Sequence, residues 1–451
     1  MGSPLQSGDA NLGRRHFLIG AAVVGAGLYV GFRVADKREE RAGTSIAAAP
    51  FRPNAFVRIA PDDTITVIIG KSEMGQGVYT SLPMIVAEEL DIDPARVKVE
   101  FAPVNAAFNT PWFPAQITGG SSSVNTTYEP LRKAGATARA MLIAAAARSW
   151  KVDPTKLSTT GDGAVTDGQK VVRYGDLVEL AAQIEVPKDV ALKDPKTFKY
   201  IGQRVPRLDC PGKVSGRTEF GLDVRQPGML IAMVARSPVF GGKVTGFDDK
   251  AARAIPGVVD VKQVPSGVAV IAKSTYAARR GRDALEVKWD PGSGATFSTE
   301  QLSQEYRRLA ETSSAAVATR TGDAEGTLAK ARHVIEAVYE VPFLAHACME
   351  PLNCVAHVTN DRCDVWTGSQ WQSGDAQLAA AALGFKTEQV NIHTTFLGGG
   401  FGRRGNPESD VVVEAVLVAK GVGKPVQVVW TREDDMHGGF YRPFFVHRAR
   451  G

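Results

Sequence analysis

Gly398-Gly399-Gly400-Phe401-Gly402-Arg403-Arg404-Gly405, GGGFGRRG in one-letter code, decides how the surrounding chain is read. The apolar run Val390–Leu397 before it has the character of a strand. After it, Asn406 suits a helix N-cap, Pro407 the first helical position, and Glu408 and Asp410 the positive end of the helix dipole. Val411–Val418 then carries a helix to Lys420, with Gly421 placed to end it. Strand, glycine loop and helix together suit an anion, because unpaired backbone N–H groups converge where no Cβ blocks approach.

Length and composition fit an ordinary globular chain. There are 451 residues, 44% hydrophobic and 22% charged, and length alone suggests about three domains. A net charge of +5 is mild for this length, and no basic stripe with interleaved aromatics marks a nucleic-acid surface. Cys210, Cys348, Cys354 and Cys363 contain no CxxC pair, so spacing does not point to an iron–sulfur cluster or a structural zinc. His346, Cys348, Glu350, Cys354 and His357 crowd together and read as buried thiols and a satisfied histidine rather than as a metal site.

Before the fold comes a processing segment. Arg14-Arg15-His16-Phe17-Leu18 precedes an apolar, alanine- and glycine-rich run to Phe32, and this resembles a twin-arginine export signal. Gly13 and Ile19 depart from the usual residues of such a signal. The apolar run falls short of the roughly 20 residues a spanning helix prefers. Ala47-Ala48-Ala49 offers a cleavage site, and an uncleaved inner-membrane anchor stands beside cleavage. Both place the globular part in the periplasm.

Further along, Thr64–Ile69 reads as a strand and is followed by Gly70-Lys71-Ser72-Glu73-Met74-Gly75-Gln76-Gly77. A helix follows through Leu90, with Leu82, Ile85, Val86 and Leu90 on one face. Gly70-Lys71-Ser72 is not the end of a phosphate-binding P-loop, since that motif's first glycine would fall on Ile65. Val97–Val104 reads as a returning strand. A second glycine loop, Thr118-Gly119-Gly120-Ser121-Ser122-Ser123, opens a long helix expected from about Glu129 to Arg148, with Pro130 in its first turn. Val165–Val172 reads as a hairpin around Asp167-Gly168, and 188–207 as a polar linker. From Cys210, strands near Leu230–Ala235, Val258–Val264, Val268–Ala272 and Ala284–Trp289, with a helix near Thr275–Asp283, predict an α+β unit of about 100 residues. A helix over Phe297–Leu309, a strand over Cys363–Trp366 and a helix over Asp375–Leu383 complete the expectation.

Two readings of the first loop stand side by side. Gly400-Phe401-Gly402-Arg403-Arg404-Gly405 satisfies GxGxxG between a strand and a helix, and Glu433 and Asp434 follow the next strand, Val426–Trp430. That is the context of a Rossmann unit and of an NAD or FAD oxidoreductase. It leaves the other two glycine loops unused. Three such loops, scattered over more than 300 residues, suggest instead one large polyanionic ligand.

Here a specific resemblance appears. GGGFGRRG is similar to the GGGFG loop of the molybdenum hydroxylases, the xanthine dehydrogenase superfamily, and SEMGQGVYT resembles that family's MGQG loop. HACMEP and the TGSQ ending in Gln370 stand at matching spacing before GGGFG, and KVSGRTEFGLDV with ARSPVFGGKV resembles the start of its α/β hammerhead domain. Met74–Gly77 precedes GGGFG by some 320 residues, a permuted order similar to that of the isoquinoline 1-oxidoreductase β-subunit group, also called periplasmic aldehyde dehydrogenases.

The resemblance implies an α+β, multi-domain molybdopterin-binding architecture. Its expected parts are a signal over 1–49, a permuted part of the cofactor-binding domain over 50–205, the hammerhead domain over 206–310, and the first cofactor-binding domain, incomplete, over 311–451. It implies that Gln370 contacts the apical side of the molybdenum centre, and that Gly400, Phe401, Gly402 and Arg403 lie beside it, the Gly402 N–H donating to a metal oxygen. Gly75, Gln76 and Gly77 would hold the pterin and its pyrophosphate, and Gly120, Ser121 and Ser122 the nucleotide end. The cofactor implied is molybdenum–molybdopterin in its cytosine dinucleotide form, so no protein metal ligands are expected. The reaction implied is hydroxylation of an aldehyde or N-heterocycle with water, with electrons leaving through a small 2Fe-2S subunit, and a cytochrome c as a further acceptor. Arg403-Arg404-Gly405 replaces the family's usual Gly-Lys-Glu, and nothing after Gly405 resembles its GE motif. The base glutamate is therefore expected outside this chain, the catalytic residue is unassigned, and Glu73, Glu350 and Glu408 are not nominated. A fragment of a longer subunit, inactive when alone, or a non-catalytic remnant, is the corresponding expectation.

Overall fold

Phe51–Asn54 (β1), Val57–Ile59 (β2), Ile65–Ile69 (β3) and Val97–Phe101 (β4) line up in that order as the first sheet of the computed structural model, which describes residues 51–112, 114–312 and 316–451. The arginine pair, its apolar run and Ala47–Ala49 lie outside the described residues. β3 and β4 are parallel, and the crossover between them is helix α1, Val78–Leu90. Leu82, Ile85, Val86 and Leu90 are buried, as their helical spacing predicts. The second helix, α2, spans Ser122–Trp150 and packs against α1. Gly135 allows that close approach, since a Cβ there would stand 2.4 Å from the Val86 carbonyl oxygen. Val57, Ile59, Val67, Val86, Leu131, Ala138, Leu142 and Tyr174 belong to the core beneath.

Three expectations in this part are corrected. Helix α2 starts at Ser122, well before Glu129, and Pro130 lies inside it. The Ser/Thr-rich first turns are poor helix formers, yet the buried Thr126 returns its hydroxyl to the Ser122 carbonyl at 2.7 Å, so packing overrides propensity. The hairpin of Ala164–Thr166 with Val171–Arg173 pairs Thr166 with Val171, leaving a four-residue loop rather than a two-residue one. Asp167 builds that loop by accepting from the N–H groups of Gln169 and Lys170 at 2.9 and 2.7 Å. The stretch 188–207 is not a free linker. Glu89 accepts from the Lys193 N–H, and Glu88 from those of Lys199, Tyr200 and Ile201. Both carboxylates are fully buried, and these donors, with Arg132 on Glu89, make that burial tolerable.

Chain clustering divides the molecule after Thr218. In the unit from Glu219 onward the main sheet is built from Leu230–Ala235 (β5), Val258–Val264 (β6), Gly267–Ala272 (β7), Asn353–Val358 (β8), Cys363–Thr367 (β9), Val390–Thr394 (β10) and Val426–Val429 (β11). They form one seven-stranded sheet in the order β6-β7-β5-β11-β8-β9-β10. Stretches expected in separate bodies, 206–310 and 311–451, thus share a sheet, joined where β5 runs parallel to β11 with Leu230 opposite Val426. Gly267–Ala272 is buried at every residue, and such an uninterrupted apolar run announces a covered strand without naming its neighbours. Helices Gln372–Leu383 (α3) and Asp410–Ala419 (α4) pack on each other, and α4 also lies on β8 and β11. Among the described residues no helix is long and apolar enough to cross a membrane.

Candidate functional site

The first unit presents two of the glycine loops, stitched together. Gly70–Gly77 joins β3 to α1 and is organised from within by Glu73, which is completely buried. Glu73 Oε1 accepts from the N–H groups of Gly75 and Gly77 at 2.8 and 3.1 Å, and Oε2 from that of Tyr79 at 2.9 Å. Arg207 holds this carboxylate from the other side at 3.1 Å and donates to the Gly75 carbonyl. Gln76 folds back, its Nε2 donating to Ser72 O and its Oε1 accepting from Met74 N–H. The loop therefore carries its own anion, which already takes the Gly75 and Gly77 amides. Gly75 and Gly77 have φ of 113° and 94°, and a Cβ at either would meet nothing within 4 Å, so both bends face open space.

Gly119 and Gly120 are equally open, and Ser121, at φ 54°, caps α2 without a side-chain bond. The Ser122 hydroxyl donates to Gly119 O at 2.7 Å. Ser72 N–H donates to Thr118 Oγ1 at 2.9 Å, and Lys71 Nζ reaches Thr110 Oγ1 and Ile117 O, both at 2.7 Å. Burial alone brings the Lys71 ammonium down to about 8. Neither Glu73 nor Lys71 is nominated by motif spacing, because Glu73 acts on the amides of its own loop and Lys71 on the Thr110 hydroxyl and the Ile117 carbonyl.

The second unit holds the remaining nominated residues close together. Gly402 N–H donates to Gln370 Oε1 at 3.0 Å, across 32 positions of sequence. Gln370 N–H in turn donates to Arg404 O at 2.8 Å. Gly399 and Gly402 both have φ of 101°, a region that favours glycine. Phe401 adopts φ 54° between them, with its ring 72% exposed. Arg403 N–H donates to Gly400 O at 2.9 Å. The Arg403 side chain turns inward instead of to the surface, making a two-pronged pair with Asp410 at 2.9 and 2.7 Å beneath the rings of Trp430 and Phe440.

The flanking HACMEP segment supplies what spacing did not reveal. Glu350 Oε2 accepts from Gly398 N–H at 2.9 Å and from Arg404 at 3.0 Å, while Oε1 accepts from Leu222 N–H and from Asn353. Cys348 Sγ lies 3.5 Å from Gly400 O, and burial raises its thiol. Cys354 is wholly buried, and burial pushes Cys363 up to about 12. His346 Nε2 stands 3.9 Å from where a Gly402 Cβ would be, and burial lowers its pKa. Ala347 beside it has φ 46°. Non-glycine residues with positive φ therefore flank the site on both loops, where such strain is commonly tolerated for function.

The helix after the loop begins later than expected. Asn406 is not its N-cap: the cap is Ser409, at φ 45°. Asn406 forms a turn of its own, accepting from Glu408 N–H at 3.0 Å and donating to Asp410 at 2.6 Å. The glycines thus lie too far ahead of α4 to use its N-terminal N–H groups. A Rossmann unit also needs the next strand alongside, but β8 and β9 separate β11 from β10, which is at the sheet edge. Glu433 and Asp434 are the first turn of helix Arg432–His437, and Asp434 pairs with Arg282 at 2.9 Å. The NAD or FAD reading is overturned by this topology. Among the described residues no group of three or more His, Cys, Asp or Glu could hold a metal ion. The open, positive-φ glycine bends leave the backbone accessible to a large ligand.

Two family models, each described as a molybdopterin cofactor-binding domain, match residues 11–217 and 309–450. The chain is 31% identical over 97% of its length to the beta chain of isoquinoline 1-oxidoreductase from Brevundimonas diminuta. This chain belongs to the molybdenum-binding subunits of the xanthine dehydrogenase family. It is also 32% identical, over 98% of its length, to the membrane-bound, pyrroloquinoline-quinone aldehyde dehydrogenase of Gluconacetobacter polyoxogenes. A nicotinate dehydrogenase subunit from Pseudomonas putida is 29% identical over 84% of the chain. The chain spans 62%, 58% and 32% of these three relatives' own lengths. Among solved structures, the aldehyde oxidoreductase from Desulfovibrio gigas matches with a TM-score of 0.43 at 19% identity, covering 61% of this chain and 36% of that one.

Proposed function

We propose that this molybdopterin-binding subunit serves an oxidoreductase that hydroxylates an aldehyde or an N-heteroaromatic carbon, taking the oxygen from water. The observation that carries the reading is the Gly402–Gln370 hydrogen bond, which joins two separate family motifs at one turn. In the second unit, Gln370, Gly400, Phe401 and Gly402 would lie at the metal end of the cofactor, with Arg403 holding the turn from beneath through Asp410. In the first unit, the open bends at Gly75, Gly77 and Gly120, with Gln76, Ser121 and Ser122, would meet the pterin and its nucleotide, the cytosine dinucleotide form. When bound, the molybdenum cofactor supplies the two-electron redox chemistry of the hydroxylation.

The two buried carboxylates within these motifs, Glu73 and Glu350, are spent on structure. Glu73 and Glu350 each accept from several donors, so neither is free to take a proton from water. That supports a base supplied from elsewhere and a chain that is inactive toward aldehydes and N-heterocycles by itself. Electrons would leave through a small 2Fe-2S subunit and then a cytochrome c, since the cysteines here are buried or isolated. The relatives from Brevundimonas and Pseudomonas are each one chain of a multi-chain enzyme, which supports a partner for this chain as well. The arginine pair at Arg14-Arg15 supports twin-arginine export to the periplasm, with an inner-membrane anchor where the signal is retained.

The test is cofactor content. The chain is produced where molybdopterin is made, and molybdenum, oxidised-pterin fluorescence and released nucleotide are measured on the purified protein. Stoichiometric molybdenum with cytosine nucleotide is the expected result. Bound flavin or nicotinamide without molybdenum would overturn the reading.

A further inference from the structure

We propose that the buried Glu350–Arg404 pair is a positioning clamp that sets Gln370 against the Gly400–Gly402 turn. Both side chains are nearly withdrawn from solvent, at 8% and 7% exposure for the residues. The Glu350 carboxylate receives donors from three places: Leu222 N–H at 3.1 Å, Asn353 Nδ2 at 3.0 Å, and the loop itself through Gly398 N–H and Arg404 Nη2. Arg404 answers with Nε on Gly399 O at 3.0 Å and Nη2 on Glu350 O at 2.9 Å. Its own carbonyl takes the Gln370 N–H, and Gln370 Oε1 takes the Gly402 N–H. Glu350, Arg404, Gln370 and Gly402 are thus linked in series, so that a shift of Arg404 is passed through Gln370 to the Gly402 turn.

Charge explains why these two residues suit the task. A buried ion pair stabilises little in itself, but removing one partner strands the other, so the pair strongly penalises every alternative loop arrangement. Arginine is needed rather than any cation, because a single guanidinium reaches Gly399 O and both the carbonyl and the carboxylate of Glu350. The geometry stands without any cofactor; its consequence for molybdenum rests on the function proposed above.

The full chain is compared with Arg404→Met, Arg404→Lys and Glu350→Gln by amide hydrogen exchange, resolving Gly402 and, as reference, strand β8. In Arg404→Met the Gly402 amide exchanges roughly tenfold faster or more while β8 is unchanged. Arg404→Lys, which keeps the charge, recovers part of that protection. Should Arg404→Met not yield folded protein, Glu350→Gln carries the same comparison. In protein made with the cofactor, molybdenum retained through gel filtration falls in Arg404→Met and returns in part with Arg404→Lys. Unchanged Gly402 exchange, or Gly402 and β8 accelerating together, overturns the clamp. If exchange responds as stated while even the unaltered chain holds no molybdenum, the clamp stands and the molybdenum reading falls.

Discussion

Asp375, in the first turn of α3, shows how much of this site is decided just outside the motif. The Ser369 hydroxyl donates to it, and the same oxygen accepts from Trp371 N–H at 3.0 Å, so both neighbours of Gln370 are fixed. Burial raises the Asp375 carboxyl to about 6, against the opposing effect of Ser369. Its folded value lies above its unfolded one, so between about pH 4 and 6 the folded protein holds a proton that the unfolded chain has released. Stability therefore falls as pH rises through that window and stays reduced above it, by roughly 3 kcal/mol at most. Asn presents an oxygen to Ser369 without a charge to bury. Asp375→Asn is expected to raise the melting temperature at pH 7.5 and to lose most of that advantage near pH 4.5, as read by calorimetry at both values. An equal gain at both pH values would show that titration is not the cause. None of this was visible in TGSQ, because a buried carboxylate leaves no periodic mark in sequence.

Elements were legible where one face is buried and obscure where polar groups bind backbone. Leu82, Ile85, Val86 and Leu90 place α1 correctly because their spacing reflects burial directly. The early start of α2, the Asn406 turn and the clamped 193–201 segment escaped because each depends on polar side chains bonding main-chain groups, nearby at Thr126 and Asn406 and distant at Glu88 and Glu89. Gly135 is an intermediate case: its presence mid-helix is plain, but its reason, contact with α1, is not. Alanine there gains up to about 1 kcal/mol of helix propensity. Its Cβ, however, would stand 2.4 Å from Val86 O and 2.9 Å from Glu89 Cβ, main-chain and buried neighbours with little freedom to yield. Overpacking of this kind costs about 1–3 kcal/mol, so Gly135→Ala is expected to lower the midpoint of denaturant unfolding. A higher midpoint would mean that α1 and α2 have slack between them.

At the scale of the whole chain, the family was legible from four motifs, whereas the sharing of one sheet by 206–310 and 311–451 was not, since strand pairing across long separations leaves no local trace. One surface in the second unit breaks the general balance of buried apolar and exposed polar groups. Among the described residues, strands Glu336–Val341 and Phe445–Arg450 pair only with each other, and a helix, Thr299–Ala310, covers one face, where Arg307 and Ser303 bind Glu340 and Tyr306 meets Phe444. The other face carries Ile335, Tyr339, Val341 and Phe445, exposed by 77%, 61%, 42% and 43%. Alternation of apolar and polar residues along Ile335–Val341 is the pattern of a strand with one buried face, and a two-stranded sheet alone is marginal in water. Exposed apolar patches bind apolar dyes and drive association. The purified chain is therefore expected to enhance anilinonaphthalene sulfonate fluorescence and to associate as concentration rises. A double substitution, Ile335→Lys with Tyr339→Lys, leaves the cross-strand pairing and the helix-covered face untouched. It should reduce both effects while far-UV circular dichroism stays the same; unchanged dye binding would place the accessible apolar surface elsewhere in the molecule.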